Sequence, residues 1–343
     1  MAQRILIFIY ELLLLLIAIS SEAAWINMLM LQLTLVPMFV ELILSAGSST
    51  RFTRVLPIIL SNVLLASGFW FGLPSNDLFT HQAGIVLMCV GVGGLTGWFP
   101  VFGKQNTQKR LSRSLIPICL AAIFFYRTVQ TFIWSEQDLA LLAVISLFSL
   151  AICGIRLMGP LLMEQRIHFS ILTILSNANI ATILIGWEKL FPARTWIGTS
   201  NIPSGKFLLI AILVTESFAA ILMILSHQRF IKEENRNLNE TDFVIKMNSS
   251  PWLGKIFLAG NLSMAGFPMF PGSIWRFALL AALILPHEKS NVTQLAEPHR
   301  AFIFLAIVFM LATILVTLGQ VRMLQRYIER NVHDREFATV SNA

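Results

Sequence analysis

The 343 residues are 56% hydrophobic and 13% charged, and their mean hydropathy is +0.74. Such a chain is too apolar and too poor in charge to be a soluble globular domain, and it reads as an all-α, polytopic membrane protein. The formal net charge of +7 sits in short basic runs between apolar stretches, not along one aromatic-studded face, which argues for membrane topology over nucleic-acid binding.

Measured against the roughly 20 apolar residues that one crossing needs, the chain divides into about ten spans of a single transmembrane domain. In order they are 5–19, 24–46, 55–73, 83–102, 114–133, 139–163, 168–187, 207–226, 253–285 and 301–324. The first is short and carries Glu11, with no small-x-small cleavage site after it, so it reads as a span and not as a signal peptide. Basic residues follow the even-numbered spans: Arg51 and Arg54, then Lys104, Lys109, Arg110 and Arg113, then Arg166, then Arg229, Lys232, Arg236 and Lys246, and finally Arg322, Arg326 and Arg330. The positive-inside rule then puts both termini on the cytoplasmic or matrix side. The loop from Lys189 to Lys206, with Pro192, Gly198, Pro203 and Gly205, falls outside; the mixed-charge stretch from His227 to Ser250 falls inside as a solvated loop or surface helix. Cys89, Cys119 and Cys153 lie within spans without metal spacing and read as small packing residues. The polar tail 331–343 is expected to fray or to meet a partner.

The ninth span holds the most informative stretch, Leu262 to Phe277, LSMAGFPMFPGSIWRF. Gly266, Pro268, Pro271 and Gly272 interrupt it, and Arg276 follows. Proline removes an amide donor and clashes with the preceding turn, and at membrane depth each freed backbone group needs a partner within the protein or in a wet cavity. One reading is a broken transmembrane helix of the kind found in transporters and ion-translocating subunits. The other is a proline-kinked packing helix whose Arg276 snorkels to a headgroup.

Glu11, Glu41, Arg127, Arg156, Glu216 and Arg276 are the costly residues within spans, and a charge at that depth marks function unless it is paired or lies at a span end. Glu41, Arg127 and Arg276 are near enough to span ends to snorkel. Arg156 and Glu216 are nearer mid-span, where a functional group or a structural interhelical pair fits equally. Ser170, Thr173, Ser176, Asn177 and Asn179 in span seven line a wet seam or form interhelical hydrogen bonds, and packing is the simpler reading.

The order of motifs resembles a known family. LSMAGFPMFPGSIWRF is similar to the LSLAGxPPxxGFxxKF motif on the second broken helix of the antiporter-like, proton-conducting membrane subunits of respiratory complex I and their relatives. Gln32 to Glu41, QLTLVPMFVE, resembles the family's ELxSLPxYxL helix, and Arg54 to Gly68 its KYFLLGALSSxLLLFG helix. GVGGLTGWFP, Gly91 to Pro100, looks like the first broken helix, GLxFKxxxxPFHxW; Arg113 to Arg127 resembles PTPVSALLxAxxxKxGxYxxxR; and Glu164 to Gly186 is similar to the stretch around QxDxKRxLAYSSISxxG. Each match is a few residues long, and together they cover most of the chain in the family's order. Within the family the short length and lost leading helices look most like a degenerate NADH dehydrogenase subunit 2.

The resemblance implies two inverted five-helix repeats, each with a broken helix, in an energy-transducing inner membrane, that of a bacterium or a mitochondrion. It also implies a line of buried Glu and Lys residues that hands protons along, and here the sequence departs from it. Gln32 stands at the family's glutamate, Leu95 or Thr96 at the lysine of the first broken helix, and Cys119 to Ala122 at the next lysine. Arg54 matches the third-span lysine, and Arg276, which does not deprotonate near neutrality, matches the last one. The expected role is therefore a membrane-arm subunit of a complex I type NADH:quinone oxidoreductase, translocating protons or, with its Glu/Lys relay lost, serving structure and coupling. Proton movement would run through Glu11, Glu41, Glu216 and His168 with water, beside Arg156 and Arg276. No catalytic, metal or cofactor motif is present, so NADH, FMN, iron-sulphur clusters and quinone are expected on partner subunits of a large respiratory complex, with lipid as the other partner. Two alternatives are a subunit of a multisubunit cation/proton antiporter or inorganic-carbon uptake system, and a structural membrane protein.

Overall fold

Long apolar runs become helices because a chain in lipid must satisfy its own amides and carbonyls, and Pro57 and Pro117 are accommodated inside helices; the break at 266–270 falls where glycine and proline cluster. A computed structural model describes residues 2–34, 36–37, 48–75, 77–97, 111–190, 204–234, 239–284 and 296–341, of which 2–5, 48–55, 111–114, 231–234, 284, 296–302 and 330–341 are described by backbone alone. In chain order the helices are α1 Ala2–Ser20, α2 Ala24–Leu33, α3 Ser48–Ser67, α4 Leu78–Thr96, α5 Leu111–Thr131, α6 Glu136–Met158, α7 Met163–Leu190, α8 Gly205–Glu234, α9 Glu240–Ser249, α10 Pro251–Ala265, α11 Pro271–Ile284 and α12 Ala296–Ser341, with a π-helical turn at Gly68–Gly72 continuing α3. No strand occurs among the described residues.

Five stretches, Leu78–Thr96, Glu136–Met158, Met163–Leu190, Gly205–Phe230 and Ile303–Glu329, are long and apolar enough to cross a bilayer, and shorter apolar helices accompany them. The protein is thus an all-helical, multi-pass membrane-associated chain. Within it α7 is the central post: 89% of its most apolar window is buried, against 39–56% for the other long helices, and α5, α6 and α8 pack around it. α3 and α4 cross closely through glycines. A Cβ at Gly72 would come within 2.2 Å of the Gly84 Cα, so the crossing depends on small residues at both points.

Several helix ends differ from the expected spans, each for a local reason. α6 ends at Met158 and not at Met163, because Gly159 and Pro160 form a turn before α7 begins. α4 stops at Thr96, capped by Gly97 in the left-handed region at φ 76°, so the helix ends before Pro100. The ninth span is two helices, α10 and α11. α12 runs on to Ser341 where a fraying tail is expected, since no glycine or proline interrupts residues 325–341. Of the second span, α2 covers only Ala24–Leu33, and residues 38–47 lie outside the described part.

Candidate functional site at the broken helix

The break between α10 and α11 is a closed structure. Gly266 is left-handed at φ 68°, a conformation that costs an L-residue about 1–2 kcal/mol and glycine almost nothing. Phe267 N–H bonds Leu262 C=O at 3.0 Å and Gly266 N–H bonds Ser263 C=O at 3.0 Å, the paired pattern of a Schellman cap. The next two carbonyls are met from outside the helix. Arg276 Nη2 donates to Met264 C=O at 2.5 Å, and Thr317 Oγ1 on α12 donates to Ala265 C=O at 2.6 Å. The last four carbonyls of α10 are therefore all satisfied, as a helix end at membrane depth requires. Pro271 then opens α11, at a position where its missing N–H is no loss. Gly272 is needed for close approach, because a Cβ there would fall 2.0 Å from Ser263 C=O. Pro268 lies in the connecting turn, next to Met269 with φ 74°.

Arg276 does not snorkel. It is 4% exposed and turns back over the break, and a Cβ at Gly266 would lie 3.1 Å from its Nη1. Its Nε donates to Oε1 of Glu216 on α8 at 3.2 Å. Glu216 is fully buried, and Asn177 on α7 donates Nδ2 to both of its oxygens, at 2.9 and 3.2 Å. Three helices thus meet at one carboxylate held by a guanidinium and an amide. Two polar atoms of this cluster, Asn177 Oδ1 and Arg276 Nη1, are buried without a protein partner. One is an acceptor and the other a donor.

From Asn177 a polar line descends α7. Asn177, Thr173, Ser170 and Arg166 recur at helical spacing on one face, and the eleven residues between Arg166 and Asn177 span about 16 Å. Thr173 Oγ1 bonds Ser170 C=O at 2.7 Å, Ser170 Oγ bonds Arg166 C=O at 2.8 Å, and Gln320 of α12 donates to Ser170 Oγ. Asn261 of α10 donates to Gln320 C=O at 3.1 Å. At the foot of the line Arg166 donates from Nε and Nη2 to Glu240 Oε1 and from Nη1 to Gly319 C=O, while Arg326 donates to Glu240 Oε2. Arg166 is fully buried, so its reading as a loop cation is corrected: the segments after spans six, eight and ten converge at one end of the bundle and close over it.

The remaining sequence candidates scatter. Glu11 is buried on α1, far along the chain from the break. Arg156 is exposed in the last turn of α6 and does not approach mid-span, because the helix ends two residues later. Arg127 donates to Ile19 C=O at 3.4 Å, at a helix end. His168 is half-buried on α7 and faces the C-terminal end of α4, where a Cβ at Gly97 would come within 3.1 Å of its Nε2. Gln32 and Leu95 are half-buried in the last turns of α2 and α4. Arg54 is described by backbone alone on α3, and Glu41 and Pro100 lie outside the described residues. Sequence reasoning missed Glu240, Gln320 and Asn261. A carboxylate following the polar run EENRNLN carries no sign of burial, and single amides within apolar helices are visible only as isolated polar letters. Among the described residues no three His, Cys, Asp or Glu side chains stand together as a metal site would require. Comparison with protein-family models and with curated proteins finds no match for the chain.

Proposed function

We propose that the chain is an antiporter-like membrane-arm subunit of a complex I type NADH:quinone oxidoreductase, built as two inverted repeats of which each contains one broken helix. The observation that carries the reading is the second break. The helix end capped by left-handed Gly266 leads into Pro271 and Gly272, and the cation at the family's lysine position, Arg276, is buried against Glu216. The first break supports the same plan, since α4 also ends on a left-handed glycine, Gly97. A buried carboxylate with a cation and a polar line running to one end of the bundle is the furniture of ion-translocating membrane proteins.

Arg276 decides which role the site takes. A proton relay needs a cation that alternates between charged and neutral forms, and arginine stays charged. The Glu216–Arg276 pair is then a fixed dipole that holds α8 against the break, and the subunit serves the membrane arm mainly through structure and coupling. NADH oxidation, flavin, iron-sulphur and quinone chemistry belong to partner subunits on this reading.

Purification of the native assembly in mild detergent through a C-terminal tag tests it. NADH-oxidising subunits with flavin and iron-sulphur absorbance are expected to accompany the chain. Recovery alone, or with a transporter partner that lacks flavin, overturns the assignment. Within the assembly, Glu216→Gln is expected to lower the amount of complex more than the protons moved per electron in what remains.

A further inference from the structure

α12 extends well past any bilayer. Its 46 residues amount to about 69 Å at 1.5 Å per residue, against roughly 30 Å of hydrocarbon. Counted from Ala301, the first apolar residue after Arg300, Arg322 lies about 32 Å along the axis, which is headgroup depth. Arg322 and Arg326 are one turn apart on the same face, and each is tied on its inner side: Arg322 Nη1 donates to Met158 C=O at the end of α6, and Arg326 Nη1 donates to Glu240. Both remain partly open to the outside, the Arg326 side chain at 30% exposure.

Charge and apolar surface are arranged around them in register. Arg166 and Arg326 both pair with Glu240, and Arg322 stands near enough to Arg166 to repel it; Glu329, the next acid along α12, accepts from Gln325 at 2.8 Å. Away from that end, Leu311, Ile314 and Leu318 lie on the Arg322 face at i−11, i−8 and i−4, and all are exposed, as are Phe148 and Ile155 on α6. The helices themselves are in close contact, since a Cβ at Gly319 would meet the Leu157 Cβ at 2.5 Å.

We infer that the α6–α12 seam is a binding site for an anionic phospholipid, with its phosphate between Arg322 and Arg326 and its acyl chains along Leu311, Ile314, Leu318, Phe148 and Ile155. The guanidiniums are held from behind by Met158 C=O and Glu240, so their outward N–H groups are set for phosphate oxygens before any lipid arrives. Basic residues between helices at a membrane face are a recurrent form of headgroup recognition. The inference needs only that the chain lies in a membrane and stands apart from the complex I assignment.

Native mass spectrometry of the tagged, delipidated chain, titrated with phosphatidylglycerol or phosphatidylcholine, provides the test. The double variant Arg322→Gln/Arg326→Gln is expected to bind phosphatidylglycerol about thirty-fold more weakly than wild type, at about a tenfold loss per 1.4 kcal/mol and about 1 kcal/mol per basic residue. Lys206→Gln, in the first turn of α8, is expected to bind as wild type does, and phosphatidylcholine to show no difference between the proteins. If the glutamine pair does not fold, raising salt from about 0.05 M to about 0.5 M is expected to release phosphatidylglycerol from wild type by screening the contact. Equal phosphatidylglycerol binding by the folded double variant, or wild-type binding indifferent to salt, overturns the site. Displacement by millimolar inorganic phosphate overturns the lipid and leaves a free-anion site, and no preference of wild type for phosphatidylglycerol points instead to an acidic protein partner and also overturns it.

Discussion

The C-terminal ends of α4 and α10 share a backbone device and differ in what faces it. α4 ends on Gly97 at φ 76° and α10 on Gly266 at φ 68°. At Gly266 the facing group is Arg276, which cannot lose its proton under physiological conditions and is fixed by Glu216 and Met264 C=O. At Gly97 it is the ring of His168, with Nε2 nearest. The same turn chemistry therefore frames a buried ion pair at one helix end and an imidazole ring at the other. The difference makes the Gly266 end the one whose stability rests on a buried charge pair.

The largest effect expected from breaking this contrast is at Arg276. Arg276→Gln strands Glu216, fully buried, without its cation, at a cost of about 3–5 kcal/mol. The double substitution Arg276→Met/Glu216→Leu removes both charges and is expected to recover most of that loss, because two apolar groups in place of a buried pair are often neutral or stabilising. Chemical unfolding of the detergent-solubilised chain, or the yield of assembled complex, reads both. A double variant no better than the single one would show that the pair does more than balance charge.

The glycines come next. Gly266→Ala imposes an unfavourable left-handed residue, about 1–2 kcal/mol, and drives its methyl to 3.1 Å from the Arg276 guanidinium, which the pair with Glu216 holds in place. Gly97→Ala carries the same backbone cost and meets only the edge of the His168 ring, at 3.1 Å from Nε2. Gly266→Ala is thus expected to be the more destabilising of the two in the same unfolding assay. Equality would mean that the backbone alone sets both costs. His168→Gln should cost less stability than either in the same unfolding assay.

How much of this was legible in the chain depends on the range of the interaction. The second break was plain, because Gly266, Pro268, Pro271 and Gly272 act on their own backbone. The helical membrane class was equally plain from composition. The pairing of Glu216 with Arg276 was not, since sixty residues separate them and nothing local couples a glutamate on one apolar helix to an arginine on another. Arg276 looked free to snorkel because its distance from the span end was counted along a helix assumed continuous; the break turns it inward. Arg156 looked deep for the opposite reason, that Gly159 and Pro160 were passed over as part of a longer span. Arg166 and Glu240 were read as solvated because charge near a loop usually is, and their burial arises only when α7, α9 and α12 converge.

The smallest effect concerns how the helix leading into each break begins. α4 starts at Asp77, whose carboxylate accepts the Thr80 N–H at 2.9 Å and the Thr80 hydroxyl at 2.6 Å. α10 starts with Pro251 after Ser250, which makes no side-chain cap bond. The two Thr80 bonds hold the Asp77 carboxyl below its ordinary range, since they favour the charged form. A group with a lowered folded-state pKa adds stability above its unfolded value, and that stability is lost as pH falls through the folded value. Acid should therefore loosen the first turn of α4 and spare that of α10, which hydrogen exchange of Phe79 to His81 against Leu253 to Lys255 can follow. Asp77→Asn keeps an N-cap acceptor but removes the titration, so faster exchange of the α4 turn in acid should disappear in that variant. If it persists, the cap is not its source, and the acid sensitivity must come from groups deeper in the bundle.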